Sequence, residues 1–278
     1  MNAVAAAALS DSEFSKFQRV IEQEIGIHLS DAKRSLLQSR LGRRLRQLGI
    51  ESYGDYFDLV MKGDAQERSL MFDAICTNET SFFREAPHFE LLRSQIVPRW
   101  RSDAAAGLRA KRIRIWSAAC STGEEPYSLA MLLLDELGGA GWDLAIDATD
   151  VSTRALEHSR RGVWPSSKAS SIPESYLRRY MLRGTRARSG TVQAGDQVRS
   201  ILRFGRLNLV QDSYPFGEYD AVFCRNVLIY FTAALRTAVV QRLLRHLAGG
   251  GYFFVGHAET LVGVTESVRT VIPTVYVR

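Results

Sequence analysis

The sequence predicts an α/β fold: a doubly wound, Rossmann-like sheet with a small antiparallel β insertion, preceded by an all-helical N-terminal domain. Apolar residues follow helical spacing up to about residue 95. Strand-like and helix-like segments then alternate, as in a mostly parallel sheet. Short strand-like runs interrupt that alternation at about residues 175–207. In this chain of 278 residues we therefore expect domains at 1–95 and 96–278, with the insertion in the second.

Capping residues delimit the helices of the N-terminal domain. Ser10 and Glu13 have the spacing of a capping box, which predicts the start of the first helix, and Gly26 is expected to end it. Ser30 is expected to cap a second helix that runs to Gly49. A third helix is expected at 53–61 and a fourth from about residue 65.

The second helix carries two different faces. Four leucines recur at helical spacing on one face: Leu37, Leu41, Leu45 and Leu48. Four basic residues fall on another face at about 100° per residue: Lys33, Arg40, Arg43 and Arg46. Such a face is usually solvated surface, but together with the net charge of +6 it also suits an acidic partner.

The second domain is expected to begin after a surface linker at 101–111. Strands are expected at 112–119, 143–149, 219–224 and 250–256. Helices are expected between them at 125–138, 153–161 and 232–247. Within the insertion, 192–194 and 198–204 are predicted to form short antiparallel strands, and 268–277 a final antiparallel strand.

Composition favours a soluble cytoplasmic protein. Hydrophobic residues make up 46% of the chain and charged residues 24%, and no apolar run reaches membrane-spanning length. The alanine-rich start at 3–9 lacks a basic segment, so we do not expect a signal peptide. The three cysteines, Cys76, Cys120 and Cys224, are widely spaced and form no CxxC pair, which argues against a disulfide framework.

The most informative segment is the turn after the first strand. Small residues at 120–123 precede Glu124 and Glu125 at the start of a helix. A small-residue turn lets a ligand approach the backbone closely, as in dinucleotide-binding sheets. Two acids there would repel a phosphate and accept hydrogen bonds from hydroxyl groups, which suits a ribose-bearing cation such as S-adenosylmethionine. The acids could equally well only complement the helix dipole.

Polar residues also follow the next strands of the predicted sheet. Asp150 ends the second strand, where an acid can accept hydrogen bonds from ribose hydroxyls. Arg225, Asn226 and Tyr230 follow the strand at 219–224, and Asn208-Leu209 ends a strand-like segment before it. An open sheet holds its ligand at this edge, so these side chains are candidate pocket residues.

Five motifs, taken together, resemble the CheR family, the chemotaxis-receptor glutamate O-methyltransferases. They are TNETSFFRE at 77–85, WSAACSTGEEPYSLAM at 116–131, ATDVS at 148–152, FCRNVLIYF at 223–231 and GHAE at 256–259. Their order and spacing fit nearly the whole chain. The resemblance implies a helical N-terminal domain, a methyltransferase sheet and a small β subdomain, in agreement with the pattern analysis.

The resemblance also implies residue roles. It implies that Asn78, Thr80 and Arg84 reach the cofactor from the interdomain segment, that Glu124 lies near the methionine part and that Asp150 binds the ribose. The remaining implied pocket residues are Asn208, Leu209, Arg225 and Asn226. Tyr230 would lie near the transferred methyl and is the candidate catalytic residue. S-adenosylmethionine would be the cofactor, S-adenosylhomocysteine the product, and no metal is expected.

The implied substrate is a chemoreceptor. Its methylation helices are rich in glutamate, so the basic face formed by Lys33, Arg40, Arg43 and Arg46 would dock them. In some members of the family the β subdomain also binds a C-terminal receptor peptide. Contact with a membrane would then be indirect, through receptors, and no nucleic acid is expected.

Two other functions compete with this interpretation. The basic charge suggests a nucleic-acid methyltransferase, but no DPPY-like segment and no aromatic-basic interleaving accompany it. The chain could also be a non-catalytic cofactor-binding module.

Overall fold

The computed structural model describes residues 8–63 and 65–278; residues 3–7 of the alanine-rich start lie outside them. Among the helices of these described residues, none combines the length and apolar character needed to span a bilayer. The predicted fold class is confirmed: a helical domain precedes a seven-stranded, mostly parallel sheet and a separate three-stranded sheet.

Four helices form the N-terminal part: α1 Asp11–Ile25, α2 Arg34–Leu48, α3 Tyr53–Met61 and α4 Ala65–Ile75. The capping box is confirmed, because Glu13 N donates to Ser10 Oγ (3.3 Å) and Ser10 N donates to Glu13 Oε2 (2.9 Å). Gly26 ends α1 in the left-handed region, with φ 74°. Ser30 does not cap α2, since a 3₁₀ turn at Asp31–Lys33 intervenes and the Ser30 side chain makes no capping hydrogen bond.

The N-terminal core is built on the leucine face of α2. Leu37, Leu41 and Leu45 are fully buried beside Phe17 and Tyr56. Leu48 departs from the prediction. It lies in the last turn of α2, beyond the buried part of the leucine face, and is 40% exposed.

The sheet domain follows two helices, α5 Ala86–Leu91 and α6 Val97–Ala105. The predicted linker at 101–111 is therefore wrong over its first half, because the helix anchored by buried Val97 and Trp100 continues through an alanine-rich run of high helix propensity. Phe89, Leu92 and Trp100 pack in the same core as the sheet. The domain boundary between residues 95 and 96 stays a prediction.

The central sheet has the strand order β6-β2-β1-β7-β8-β10-β9. Its strands are β1 Arg112–Ala118, β2 Asp143–Asp150, β6 Leu202–Arg206, β7 Tyr219–Cys224, β8 Leu247–Val255, β9 Arg269–Ile272 and β10 Val275–Val277. The first five are parallel. The predicted final strand is an antiparallel hairpin of β9 and β10. The flanking helices are α7 Glu124–Leu137, α8 Thr153–Arg161 and α11 Ala233–Leu244.

Alternation along the strands fills both faces of the sheet. Ile113 and Ile115 on β1 pack with the apolar side of α7, whereas Trp116 packs with Val239 and Val240 of α11. Burial of both faces is the reason that the parallel strands read as apolar runs.

The insertion is a small sheet with the order β3-β5-β4. It consists of β3 Val163–Pro165, α9 Glu174–Tyr180, β4 Met181–Arg183 and β5 Thr191–Ala194, and α10 Asp196–Arg199 follows it. The antiparallel strand predicted at 198–204 is wrong. Helix α10 carries the chain back to the main sheet, where β6 pairs in parallel with β2 and its Leu202 and Phe204 pack on the core.

Candidate active site

A cleft opens at the carboxyl ends of β1, β2 and β7, where the helical domain meets the sheet; its empty space, counted together with the open solvent at its mouth, is about 950 Å³. The strand order reverses between β1 and β7, and an open α/β sheet binds its ligand at such a switch point. Nine of the predicted site residues line the cleft: Asn78, Thr80, Arg84, Asp150, Asn208, Leu209, Arg225, Asn226 and Tyr230.

The turn after β1 forms the floor of the cleft. Ala119, Ser121 and Gly123 all have positive φ (65°, 51° and 99°), which bends the chain sharply between β1 and α7. A Cβ on Gly123 would lie 2.9 Å from Ser159 Oγ and 3.2 Å from Ser159 Cα. Only glycine therefore permits this turn to pack against α8.

Asp150 binds the same turn. Its Oδ2 accepts a hydrogen bond from Ser121 N (2.8 Å) and its Oδ1 accepts one from Ser152 N (2.8 Å). Burial raises the pKa of Asp150, although the two amides act in the opposite direction. Each carboxylate oxygen can accept a further hydrogen bond, so Asp150 can bind two hydroxyl groups at the cleft floor.

The two acids at the start of α7 point in different directions. Glu125 lines the cleft, whereas Glu124, predicted to contact the cofactor, is fully buried outside the lining. Glu124 accepts from Thr122 Oγ1 (2.6 Å) and lies 3.2 Å from Lys168 Nζ. Successive helical side chains are rotated by about 100°, which is why only one acid of the pair can face the cleft.

Arg225 lines the cleft and lies between two carboxylates. Its Nη1 is 3.1 Å from Glu125 Oε2 and its Nη2 is 3.1 Å from Glu85 Oε2. Burial opposes ionisation of both acids. It raises the pKa of Glu125, but Arg225 and hydrogen bonds from His257 and Asn226 hold the pKa of Glu85 below its ordinary value.

Glu259 holds the loop after β7. Its carboxylate accepts backbone hydrogen bonds from Asn226 (2.8 Å), Gly256 (2.6 Å) and Ile229 (3.1 Å). These contacts stabilise Asn226 at φ 59°, with its side-chain amide 3.2 Å from Glu85 Oε1. Glu85 and Glu259 end two of the quoted motifs, but no role was predicted for them because the loop that they hold lies 141 and 33 residues away in the sequence.

The segment from Thr77 to Glu85 forms one wall and is held from several sides. Arg40 donates to Ile75 O and to Thr77 Oγ1 (3.1 Å), and Lys168 donates to Thr80 O. Phe83 N donates to Ser128 Oγ (2.9 Å) on α7. Side chains from α2, α7 and the small subdomain thus fix the backbone of the segment that contains Asn78 and Thr80.

The opposite wall comes from the end of α1. Ile25 and Ile27 line the cleft, and His28 N donates to Tyr230 O (2.8 Å). A Cβ on Gly26 would lie 2.6 Å from Leu235 Cδ2, so the glycine permits this close approach. Lys33 Nζ lies 5.7 Å from the centre of the Tyr230 ring. Tyr230 is therefore half-buried between the two domains, at the cleft.

Two buried polar atoms at the cleft have no hydrogen-bond partner within residues 8–63 and 65–278: Ser121 Oγ and Arg225 Nε. Together with the Asp150 oxygens they offer donors and acceptors to a polar ligand. In the same described ranges, no three His, Cys, Asp or Glu side chains are arranged to hold a metal ion.

The four residues of the predicted basic face differ in their surroundings. Lys33 was predicted on the second helix, but it lies in the 3₁₀ turn that precedes α2. Arg43 and Arg46 are exposed, whereas Arg40 is half-buried against the 75–77 backbone and Lys33 is half-buried against Tyr230. Of the four, Arg43 and Arg46 are the two that present an exposed positive charge.

Comparison with known proteins matches both parts of the chain. The family "CheR methyltransferase, SAM binding domain" matches residues 78–277, and "CheR methyltransferase, all-alpha domain" matches residues 12–76. The chain is 37% identical over 265 residues to chemotaxis protein methyltransferase 2 of Pseudomonas aeruginosa, which covers 95% of this chain and 92% of that protein. It is 38% identical over 254 residues to the chemotaxis protein methyltransferase of Escherichia coli, covering 91% and 85% respectively.

Proposed function

The chain belongs to the CheR methyltransferase family, and we propose that it transfers a methyl group from S-adenosylmethionine to glutamate side chains of chemoreceptors. The products are glutamate methyl esters and S-adenosylhomocysteine, and the modification serves adaptation in chemosensory signalling. The observation that carries the proposal is the cleft itself. Asp150 and Glu125 line it together with Tyr230, and Ser121 Oγ and Arg225 Nε have no hydrogen-bond partner in the part of the chain that the structure describes.

The cleft residues divide into a ribose end and a methionine end. Asp150 would accept hydrogen bonds from the ribose hydroxyls, because it ends β2 with lone pairs free. Glu125 would attract the positively charged end of the cofactor, in the role predicted for Glu124. Ser121 and Arg225 would offer further hydrogen bonds, and the remaining contacts would come from Asn78, Thr80, Arg84, Asn208, Leu209 and Asn226.

The acceptor needs no general base. A glutamate side chain has an ordinary pKa of about 4.3, so it is already an anion at neutral pH. The cofactor supplies an activated methyl group, and no metal is required for that chemistry. What remains for the protein is alignment, which can contribute roughly 7–11 kcal/mol in favourable cases.

Tyr230 is the residue proposed to align the acceptor. Its half-buried ring lines the cleft between Lys33 and the turn after α1, and its carbonyl is fixed by His28. Its hydroxyl can donate to a carboxylate, and Arg84 in the same cleft can provide a charge. Ile25 and Ile27 would limit the access of water.

Docking of the receptor is proposed on the basic face of α2. Arg43 and Arg46 are exposed and suit an acidic helix, while Lys33 lies beside Tyr230 at the cleft. Arg40 is better suited to positioning the wall of the cleft from Thr77 to Glu85, hereafter the cofactor segment, through its hydrogen bond to Thr77.

A C-terminal receptor peptide is proposed to bind the small sheet. Its strand β4 is an edge strand, and Leu182 on it is 60% exposed. An edge strand can accept an extended peptide through main-chain hydrogen bonds. This contact would keep the enzyme near its substrate. We propose a cytoplasmic location, with the membrane reached only through receptors and no nucleic acid bound.

Two measurements test the proposal. Titration calorimetry with a chelator present should detect one site per chain for S-adenosylmethionine and for S-adenosylhomocysteine. Membranes carrying chemoreceptors should gain base-labile radiolabel from methyl-labelled cofactor. Absence of cofactor binding, or label stable to base, contradicts the proposed reaction.

A further inference from the structure

A cluster of arginines lies at the edge of the main sheet, away from α2. It comprises six residues of α8, α10 and β6, hereafter the arginine surface: Arg154, Arg160, Arg161, Arg199, Arg203 and Arg206. Five are exposed and Arg199 is half-buried. The same three elements contribute two acids, Glu157 and Asp196. These three elements therefore carry a net charge of +4, as the difference between six arginines and two acids.

The guanidinium groups of the arginine surface make no ion pair with a carboxylate of the described residues. Within residues 8–63 and 65–278, every carboxylate oxygen is more than 4.0 Å, the limit for an ion pair, from the guanidinium nitrogens of these six arginines. Asp147 and Asp150 of β2 lie opposite Arg203 and Arg206 in the strand register without pairing with them at that distance. By contrast, Arg93, Arg178 and Arg179 on other elements each pair with an acid at 2.8 Å or less.

Half of the arginine surface is held in place by backbone carbonyls. Arg160 Nη2 donates to Phe204 O (3.1 Å), Arg199 Nη1 donates to Arg161 O (2.7 Å) and Arg206 Nε donates to Val151 O (3.3 Å). These bonds order the side chains without cancelling their charge, so less conformational entropy is lost when an anion binds.

Other physical effects explain the positive charge of only some of the six arginines. Arg160 and Arg161 complement the dipole at the end of α8. Arg203 and Arg206 lie on β6, an edge strand, where charge discourages pairing between sheets. Neither effect accounts for Arg154 or Arg199.

We infer that the arginine surface is a second docking surface for an acidic protein partner, and that this partner is the receptor that occupies the cleft. The inference rests on the proposed function. The surface borders the cleft, because the Val151 whose carbonyl binds Arg206 also lines it. A long acidic helical partner that presents a glutamate to Tyr230 can therefore extend over β6 and α8.

The chemistry favours an acidic protein over a nucleic acid. Single-stranded nucleic acids are bound by basic grooves with aromatic side chains on which bases stack. The two rings on α8, α10 and β6 are both packed against neighbours. His158 is half-buried with its ring centre 6.0 Å from that of Trp164, and Phe204 packs against Cys120, Ala148 and Leu156. No free ring is thus available for stacking on these three elements.

The test uses charge reversal at two positions whose side chains donate no hydrogen bond within the described ranges. Arg161→Glu and Arg203→Glu, combined, should lower kcat/KM for membrane-bound receptor about 3- to 30-fold at low salt. The Kd for S-adenosylmethionine should stay unchanged, and the salt dependence of receptor methylation should become flatter. A control that combines Arg93→Glu and Arg99→Glu changes the net charge equally at two exposed, ion-paired residues outside the cleft and the small subdomain, and should leave receptor methylation nearly at the wild-type rate.

The outcomes are distinct. Equal loss in both double variants, or no loss in either, overturns the second docking surface while the wild-type activity upholds the proposed function. Salt-sensitive binding of a single-stranded RNA oligonucleotide that the Arg161→Glu, Arg203→Glu variant loses, with receptor methylation intact, would instead assign the surface to nucleic acid. A wild-type protein that binds cofactor but never labels receptor overturns both.

Discussion

Lys168 links the small subdomain to the cofactor segment, and replacing it tests how the cleft is held. Its ammonium group donates to Thr80 O and lies 3.2 Å from Glu124 Oε1. We predict that Lys168→Met weakens S-adenosylmethionine binding although Lys168 does not line the cleft. Methionine retains an unbranched apolar side chain but cannot hold the Thr80 carbonyl.

The expected magnitude follows from the surroundings of the lysine. A hydrogen bond from a charged donor contributes about 1.5–3 kcal/mol. The Lys168 side chain is 39% exposed, so water screens part of its interaction with buried Glu124. Phe83 and Arg40 also hold the segment. We therefore expect a loss of about 1 kcal/mol in cofactor binding, close to a fivefold rise in Kd.

Calorimetry with S-adenosylmethionine measures the effect, with circular dichroism to confirm folding. Lys62→Met is the matched control, because Lys62 is exposed, does not line the cleft and pairs with exposed Asp58 at 3.4 Å. Lys168→Arg should restore most of the affinity. If Lys168 acts with Glu124, then Lys168→Met and Glu124→Gln should be less than additive. An unchanged Kd in folded Lys168→Met refutes the reasoning.

Three further predictions concern the cleft, the basic face and pH. Asp150→Ala should weaken cofactor binding by about 1.5–3 kcal/mol with the fold intact, measured by calorimetry, because a charge-assisted contact to the ribose is lost; unchanged affinity would remove Asp150 from the pocket. The double variant Arg43→Ala, Arg46→Ala should slow receptor methylation at low salt and leave the Kd for the cofactor unchanged. Arg40→Ala should instead raise the Kd for the cofactor, because Thr77 loses its hydrogen bond from Arg40. If both variants changed the cofactor Kd equally, the separate roles of Arg40 and of Arg43 and Arg46 would be contradicted. Burial, with Arg225 nearby, lowers the pKa of His88 from 6.5 to about 4 in the folded protein. Between pH 4 and pH 6.5 the unfolded chain therefore binds more protons at His88 than the folded protein does. The free energy of unfolding should thus fall as the pH drops from 6.5 towards 4. His88→Gln should flatten that slope in urea titrations.

Local and periodic features were predictable from the sequence. The capping box at Ser10 and the glycine that ends α1 depend on neighbouring residues, and both are confirmed. The parallel strands were recognisable because burial on both faces demands continuous apolar runs. Segments whose partners lie far away were not: residues 198–204 read as a strand, but only the path through α10 decided which sheet it joins.

The candidate site divides in the same way. The sequence alone determined that Asp150, Asn208, Asn226 and Tyr230 follow successive strands. Because parallel strands bring their carboxyl ends to one edge of the sheet, these residues could be expected to meet there. Only the tertiary structure decided that Glu125 rather than Glu124 faces the cleft, since one helical step of about 100° separates the two acids. It also decided that Glu85 and Glu259 hold the Asn226 loop from 141 and 33 residues away. No spacing rule connects such distant residues, because their contacts depend on how helices and sheet pack in space.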